Sequence, residues 1–459
     1  LATEPAAQTR SYYTFGGWFR EAACTNEWTF ASDTVTADIT LYAKWTQNSW
    51  EDFSGNPQTI TSYTVEGTIT YGEGSFSDVK GTAEGDVYVA GCFETFQGQN
   101  IRSVAKLSGT TWSPVGGTSL YLSSQVNAIC FSGSDIYIGG NFGQVPFPYV
   151  PTLTGPKMIA KLSGDVWTSI GTLAPYGGWT AEVNDVICDA SGNIYVAGNF
   201  ISAGGNAAYS VAMYNGSTWS AIGNDDTYPG FVYLNGSNYE PAKMGGGIYQ
   251  NGLHFDLDEN LYVAPGPGTL NLVDGAAYSY NNNTNGYESL IRWDGSAWEG
   301  IVDVSADPYL DYKVHFNADG TSYLARIAPP WVPEGGTTGN HIGNVQATTS
   351  ADAAVDDPEG DVDWKNIGYW NWVIGPDGTA YVYGSFTKAR WRPTFNDPYT
   401  ILDAKYLAVW KDGSLQAFGT LPADIKAVQK IFFMPSGDIW IIASITGYAD
   451  NSRLFRMKK

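Results

Sequence analysis

Residues 48–55 read NSWEDFSG, the outline of one short aromatic strand closed by a small turn. Nothing just before it supplies a partner, yet the same outline recurs down the chain, each time as the last member of a group. From residue 76 onward a unit repeats: an apolar strand, a tight Gly/Asp turn, a strand of the YVAG kind, a variable stretch, a strand of the AKLSG kind, a turn, then W-x-x-[apolar]-G. The second strand appears as VYVAG at 87–91, IYIGG at 136–140, IYVAG at 194–198, LYVAP at 261–265, SYLAR at 322–326, AYVYG at 380–384 and IWIIA at 439–443. The fourth begins at Trp112, Trp167, Trp219, Trp298 and Trp364, and at Leu415 where the aromatic is replaced. The last copy ends on RLFRMKK at 453–459, the equivalent of a third strand, and stops before its fourth. Trp50 supplies the missing one.

A row of four-stranded sheets leaves two exposed edges, and closing it into a ring removes them. Pairing residues 48–54 with 453–458 completes the last sheet and accounts for the orphan strand. In this grammar the chain resembles β-propellers, with kelch and WD-repeat proteins as architectural relatives, although the GH…WD signature is lacking. The expected fold is all-β, a seven-bladed β-propeller over residues 47–459 closed by its amino-terminal strand. A linear β-solenoid or a string of small sandwiches is the competing arrangement. Neither explains why an incomplete last unit is matched by an unpaired fragment ahead of the first. No third strand for the fifth copy can be placed between Ala325 and Asp363.

Composition points the same way. A chain of 459 residues exceeds one ordinary compact core. Its 54 glycines, 30 tyrosines and 17 tryptophans, with 15% charged residues, describe aromatic strands separated by tight turns. A net charge of −22 leaves no basic stripe to neutralise phosphates, which argues against nucleic acid and against an anionic membrane surface. No apolar run approaches membrane-spanning length and no signal-peptide pattern opens the sequence, so the expectation is a soluble portion of a protein. Cys24, Cys92, Cys130 and Cys188 lack CxxC or Cys/His ligand spacing and read as buried thiols. Cys130 and Cys188 fall at the same place in successive repeats, suggesting neighbouring strands without the close approach that a bridge requires.

Residues 11–46, SYYTFGGWFREAACTNEWTFASDTVTADITLYAKWT, have short strand patterns, a Gly-Gly turn and a final apolar strand. The stretch resembles the Listeria-Bacteroides repeat, the internalin B-repeat family, through Tyr13, Phe15, Gly17, Trp18, Cys24, Trp28, Phe30, Asp38, Thr40, Leu41, Tyr42, Ala43, Lys44 and Trp45. The resemblance implies a small β-grasp-like spacer of bacterial surface proteins at residues 1–46. It is truncated by comparison with the family, because residues 1–10 look like linker where an opening strand would stand. It implies an extracellular or cell-surface setting and does not imply catalysis.

In a four-stranded antiparallel blade, first-to-second and third-to-fourth turns share one face, and all other connections share the opposite face. Turns of the first kind are short and uniform, as in DASGN at 189–193 and GPDGT at 375–379. Connections of the second kind are long, among them 141–157, 172–182, 224–250, 264–288, 326–363 and 387–404. Long loops on one side of a rigid scaffold are where recognition is usually placed. They carry Trp179, Tyr233, Tyr239, Trp331, Trp391 and Tyr399, whose rings suit sugar faces beside Asn, Asp and Gly, or else pack under their own loops as satellite cores. Arg326, Arg390 and Arg392 fall in these predicted loops as an anion-binding cluster or as loop salt bridges.

Other chemistry is thinner. His254 and His315 share a first-strand register, and with His341 they would make a metal set. The matching residues Ile129, Ile187, Val373 and Phe432 mark that register as a packing site instead. Asp356, Asp357, Glu359 and Asp361 alternate as calcium ligands do, so calcium is the one cation the sequence suggests; an acidic loop is the plainer reading. No GxSxG, Walker loop, HExxH or dinucleotide fingerprint stands in a suitable context. The expected function is a bacterial cell-surface binding protein, monomeric, taking a glycan or a host or cell-surface protein. A glycoside hydrolase or lyase on the same face, and a purely structural protein, are the alternatives.

Overall fold

The computed structural model describes residues 2–6, 8–54, 58–63, 69–116, 125–142, 158–175, 181–223, 230, 232–235, 238–241, 252–255, 259–263, 270–271, 277–278, 291–296, 298–300, 311–316, 322–327, 354–355, 370–377, 379–386, 389–391, 400–402, 404–411, 414–445 and 452–459. Among them the regular structure is entirely β, distributed over small antiparallel sheets. Four run in chain order: Ser75–Gly81, Val87–Cys92, Val104–Ser108 and Thr111–Pro114 form the first; Val126–Ser132, Asp135–Gly140, Ile159–Ser163 and Val166–Ser169 the second. Glu182–Cys188, Ile194–Asn199, Val211–Tyr214 and Trp219–Ala221 form the third, and Leu253–Phe255, Leu261–Val263, Ile291–Trp293 and Trp298–Gly300 the fourth. A hairpin of Asp311–Phe316 and Ser322–Ile327 follows. The fifth sheet is Trp370–Ile374, Ala380–Gly384, Leu407–Lys411 and Ser414–Ala417.

The sixth sheet takes its outer strand from the other end of the chain. Ala427–Phe433, Ile439–Ser444 and Ser452–Met457 are completed by Glu51–Asp52, with Glu51 opposite Arg456 and Asp52 opposite Phe455. The seam is reinforced by side chains. Glu51 forms an ion pair with Arg456, whose guanidinium lies 4.6 Å from the Phe53 ring centroid, and Phe53 N–H donates to Leu454 O at 2.8 Å. Trp50, immediately before the strand, is buried in the core shared by the fifth and sixth sheets.

The inner strands are apolar on consecutive residues, as expected where both faces of a sheet are covered. Val89, Ile138, Val196 and Ile441 are fully buried. One cluster joins the first sheet to the second through Ala90, Val126 and Ile138, and another joins the second to the third through Ile159, Val183 and Trp219. Ala197 and Leu261 belong to the core between third and fourth, Leu407 and Ile439 to that between fifth and sixth, and Trp440 and Phe76 to that between sixth and first. Six sheets therefore pack face to face in one unbroken series, fifth, sixth, first, second, third, fourth.

The glycine of the YVAG pattern has a steric cause. A Cβ on Gly91, Gly140 or Gly198 would lie 2.0, 2.1 or 2.0 Å from the carbonyl oxygen of Ser75, Gln125 or Glu182, where the first strand enters the sheet. The last-strand pattern has one too. Trp167 Nε1 donates to Val115 O at 3.1 Å and Trp219 Nε1 to Ile170 O at 2.6 Å, so the apolar residue of one W-x-x-[apolar]-G receives the indole of the next sheet.

All seven strands of the YVAG kind are strands, and Trp112, Trp167, Trp219, Trp298 and Leu415 all lie in last strands. Trp364 and the expected third strand of the fifth copy lie outside the described residues. Four expectations need correction. Cys130 and Cys188 form a disulfide with Cα atoms 5.9 Å apart. They are one register apart, Cys130 opposite Tyr137 and Cys188 opposite Ile194, and the first strands of adjacent sheets converge enough to join them. Cys24 and Cys92 form no disulfide and are only partly covered, because neither belongs to a sheet core. At the histidine register the buried residue is Leu253, and His254 is exposed. Finally, Gln58–Tyr63 and Ile69–Glu73 form a hairpin where no strand is expected.

In the amino-terminal module, Tyr13–Phe19 pairs with Tyr42–Gln47, and Trp28 is buried with Arg20 over its ring.

Candidate functional site

Two features outside the hydrophobic cores could carry function: a polar belt on the first strands, and the face built from the long connections.

The belt starts from an irregularity. The first strands of the first, second, third and sixth sheets each shift register near their beginning, between Phe76 and Asp78, Val126 and Ala128, Val183 and Asp185, and Val428 and Lys430. Such a bulge takes a residue out of the ladder and leaves backbone groups needing partners. Asp78 Oδ1 accepts from Val79 N at 2.9 Å, while its Oδ2 accepts from Ile129 N of the next sheet at 2.9 Å. Asp185 repeats the arrangement, accepting from Val186 N at 2.8 Å and from Leu253 N of the fourth sheet at 2.9 Å. Asn127 Nδ2 donates to Val183 O at 2.8 Å and Lys430 Nζ to Ser77 O at 2.6 Å. Each first strand thus reaches one sheet onward, sixth to first, first to second, second to third and third to fourth.

Burial governs the charges. Asp185 is buried; desolvation foremost, opposed by Lys80, pushes its carboxyl up to about 6. Lys430 is half-buried with its ammonium among the same groups, and desolvation, opposed by Asp78 and Asp185, brings that ammonium down to about 8. Both oxygens of each aspartate already hold backbone N–H groups, so these carboxylates clamp sheets together and present no free acid to a substrate. Sign follows from the direction. With a folded value near 6 and an unfolded value near 3.9, Asp185 favours the fold most below the unfolded value, and that contribution is lost as pH rises through 6, by about 3 kcal/mol in all. Urea midpoints of the wild type and an Asp185→Asn variant should therefore converge as pH rises from 4 to 8; parallel profiles would contradict the assignment. The sequence signal was present and missed: SDV at 77–79 and NDV at 184–186 put a charge inside an otherwise apolar strand.

On the opposite count, every accessory strand among the described residues belongs to a connection of the long kind. Leu173–Ala174, Ser202–Ala203 and Asn206–Ala207 make a three-stranded sheet; Asn238–Pro241, Val232–Asn235, Leu270–Asn271 and Ala277–Tyr278 a four-stranded one; Ala354–Val355, Ala389–Trp391 and Thr400–Leu402 another of three. The other face keeps tight turns, such as Asp189 to Asn193, where Gly192 N–H donates to Asp189 O at 3.2 Å.

The predicted ligand residues fall unevenly on this framework. Tyr233 pairs with Glu240 and with Leu270, and Tyr239 with Leu234, so both tyrosines lie in the four-stranded accessory sheet. Arg390 and Trp391 lie in a strand of the last accessory sheet, opposite Ile401 and Thr400. Arg326, expected in a loop, is in strand Ser322–Ile327 opposite Tyr312, because that repeat strand runs one residue past it. Arg390, also expected in a loop, is in an accessory strand, because the long connections build sheets of their own. Trp179, Trp331, Arg392, Tyr399, Asp356, Asp357, Glu359 and Asp361 lie outside the described residues.

Comparison with known proteins matches residues 1–44 to the Listeria-Bacteroides repeat domain. The match begins ten residues ahead of the motif run at 11. A putative Gly-rich membrane protein of Evansella cellulosilytica is 44% identical over 46 residues, 10% of this chain and 5% of that one. Internalin H of Listeria monocytogenes is 31% identical over 128 residues, 26% of this chain and 21% of that one. The chain thus spans about a fifth or less of these relatives' length. Among solved structures it is similar to YCF48 bound to D1 peptide, at 12% identity and a TM-score of 0.42 over 90% of this chain and 98% of that one. It is also similar to the WD40 beta propeller domain of Doa1, at 11% identity and a TM-score of 0.36 over 89% and 98%.

Proposed function

We propose that this is a bacterial cell-surface binding protein: a Listeria-Bacteroides repeat module followed by a seven-bladed β-propeller whose long-connection face engages a glycan or a protein. The paired strands Asp311–Phe316 and Ser322–Ile327 belong to the blade between the fourth and fifth sheets, and the Glu51–Asp52 strand closes the ring. The protein acts as a monomer, since closure leaves no sheet edge to pair. Relatives named as an internalin and as a putative membrane protein support the surface setting, as does a disulfide, which persists in oxidising compartments.

The observation that carries the reading is the segregation of all accessory strands to one kind of connection. Extra sheets are costly to order, and a scaffold needing only stability would spread them over both faces. Tyr233, Tyr239, Arg390 and Trp391 belong to those sheets, and the acidic chain favours neutral sugars or basic protein surfaces. Glycan-array and protein-panel binding with and without calcium, comparing wild type with a Trp331→Ala, Trp391→Ala variant, tests it. A ligand bound by wild type and held at least about tenfold more weakly by the variant is expected of aromatic anchors. Equal binding, or none by either, removes the reason for placing recognition there.

A further inference from the structure

The amino-terminal module is tied to the sheets at the place where the chain ends meet. Tyr12 adopts a left-handed backbone conformation, φ 66°, which a bulky side chain takes only when its surroundings impose it. Its ring stands edge-on to Phe418 of the fifth sheet, 5.6 Å between centroids, and its hydroxyl donates to Gly437 O in the first turn of the sixth, at 3.2 Å. Its carbonyl accepts from Asn48 N at 2.8 Å. Asn48 in turn donates through Nδ2 to Lys458 O at 2.9 Å and accepts from Thr14 at 2.7 Å. Tyr12 packs half-buried against the core shared by the fifth and sixth sheets. Arg10–Tyr13 and the residues Asp377, Tyr381 and Gln416 line a cavity of about 200 Å³ beside it, so the contact is a latch on a partly open seat.

These contacts bear on a short joint in the fold. The strand that joins the two chain ends is two residues long, against six for its neighbour Ser452–Met457. It is also the direct continuation of the module's last strand, Tyr42–Gln47, with three residues between. Tension applied through the module would peel Glu51 and Asp52 from Arg456 and Phe455 one rung at a time. Tyr12 and Asn48 bypass that path, since they anchor the module to the fifth and sixth sheets on the near side of the strand.

We propose that the module is a clasp for the seam: docking of Tyr12 and Asn48 holds the Glu51–Asp52 strand in the sixth sheet and keeps pulling forces off it. The role is independent of what the long-connection face binds. Native-state hydrogen exchange on the full chain carrying Tyr12→Ala and Asn48→Ala tests it. The amide of Phe53, bonded to Leu454, and the amides of residues 453–456 should exchange at least tenfold faster, those of the second and third sheets should not change, and trypsin should cut after Lys44 sooner. A Tyr12→Phe variant, keeping the ring on Phe418, should fall between. Seam amides that exchange as in wild type overturn the proposal, and so does uniform acceleration in every sheet, which would assign these residues to general stability.

Discussion

Removing the disulfide in a Cys130→Ala, Cys188→Ala variant should lower the free energy of unfolding by about 4 kcal/mol. The bridge links residues 58 apart in sequence, and forbidding the unfolded chain to separate them removes loop-closure entropy equivalent to about 4 kcal/mol at 25 °C. The missing sulfurs add little, because only Cys130 is well buried and a small side chain leaves a small gap. Urea titration of the wild type with and without reductant, beside the variant, checks the magnitude. Thiol titration under denaturing conditions checks the pairing independently: two groups, Cys24 and Cys92, should react before reduction and four after it. Four reactive thiols at the outset in protein matured under oxidising conditions would refute the bridge. A reduced midpoint equal to the oxidised one would show that the packing of Val183, Val186 and Ile159 between those sheets suffices alone.

That bridge marks where the sequence stopped being informative. Repeat alignment locates residues along a strand, and so the seven YVAG-like strands and the last strands at Trp112, Trp167 and Trp219 were legible at once. It carries no information on the distance between one sheet and the next, which depends on how the first strands converge. Cys130 and Cys188 were assigned to the right strands but to the same register, where they differ by one, and were misjudged across the gap. The polar belt escaped for the same reason. Asp78 and Asp185 stand out as charges within apolar strands, but what they hold becomes legible only once the next sheet's Ile129 and Leu253 amides come within reach. Alternation gave no warning, because a bulge resets which face a residue occupies. The long connections were recognised by length, but their own sheets were not. Pairs such as Tyr233 with Leu270 join segments from different connections, whose register no local pattern records.

Gly419→Ala should destabilise the protein by about 3 kcal/mol and act first on the seam. Gly419, two residues past the last strand of the fifth sheet, has φ 72°, where an alanine costs about 1 kcal/mol or more. Its added Cβ would also lie 2.6 Å from Trp50 Nε1 and 2.8 Å from Met457 Cε, an overlap of the kind that costs a further 1–3 kcal/mol or so. Gly85→Ala separates the two causes. That glycine, at φ 94°, has nothing within 4 Å of the position a Cβ would take, so its replacement should cost only the backbone component. Gly116→Ala supplies the matching control inside the chain, since its Cβ would meet Trp167 Nε1 at 2.2 Å at the equivalent place between the first and second sheets. If Trp50 serves as the last-strand tryptophan of the sixth sheet, Gly419→Ala and Gly116→Ala should lose comparable stability in denaturant titration, both well beyond Gly85→Ala. Only Gly419→Ala should raise Trp50 exposure, read as a red shift and quenching against a Trp50→Phe reference. A Gly419→Ala protein no less stable than Gly85→Ala would mean that Trp50 can leave its site freely, and the amino-terminal strand would then be an accessory to the sixth sheet and not its completing member.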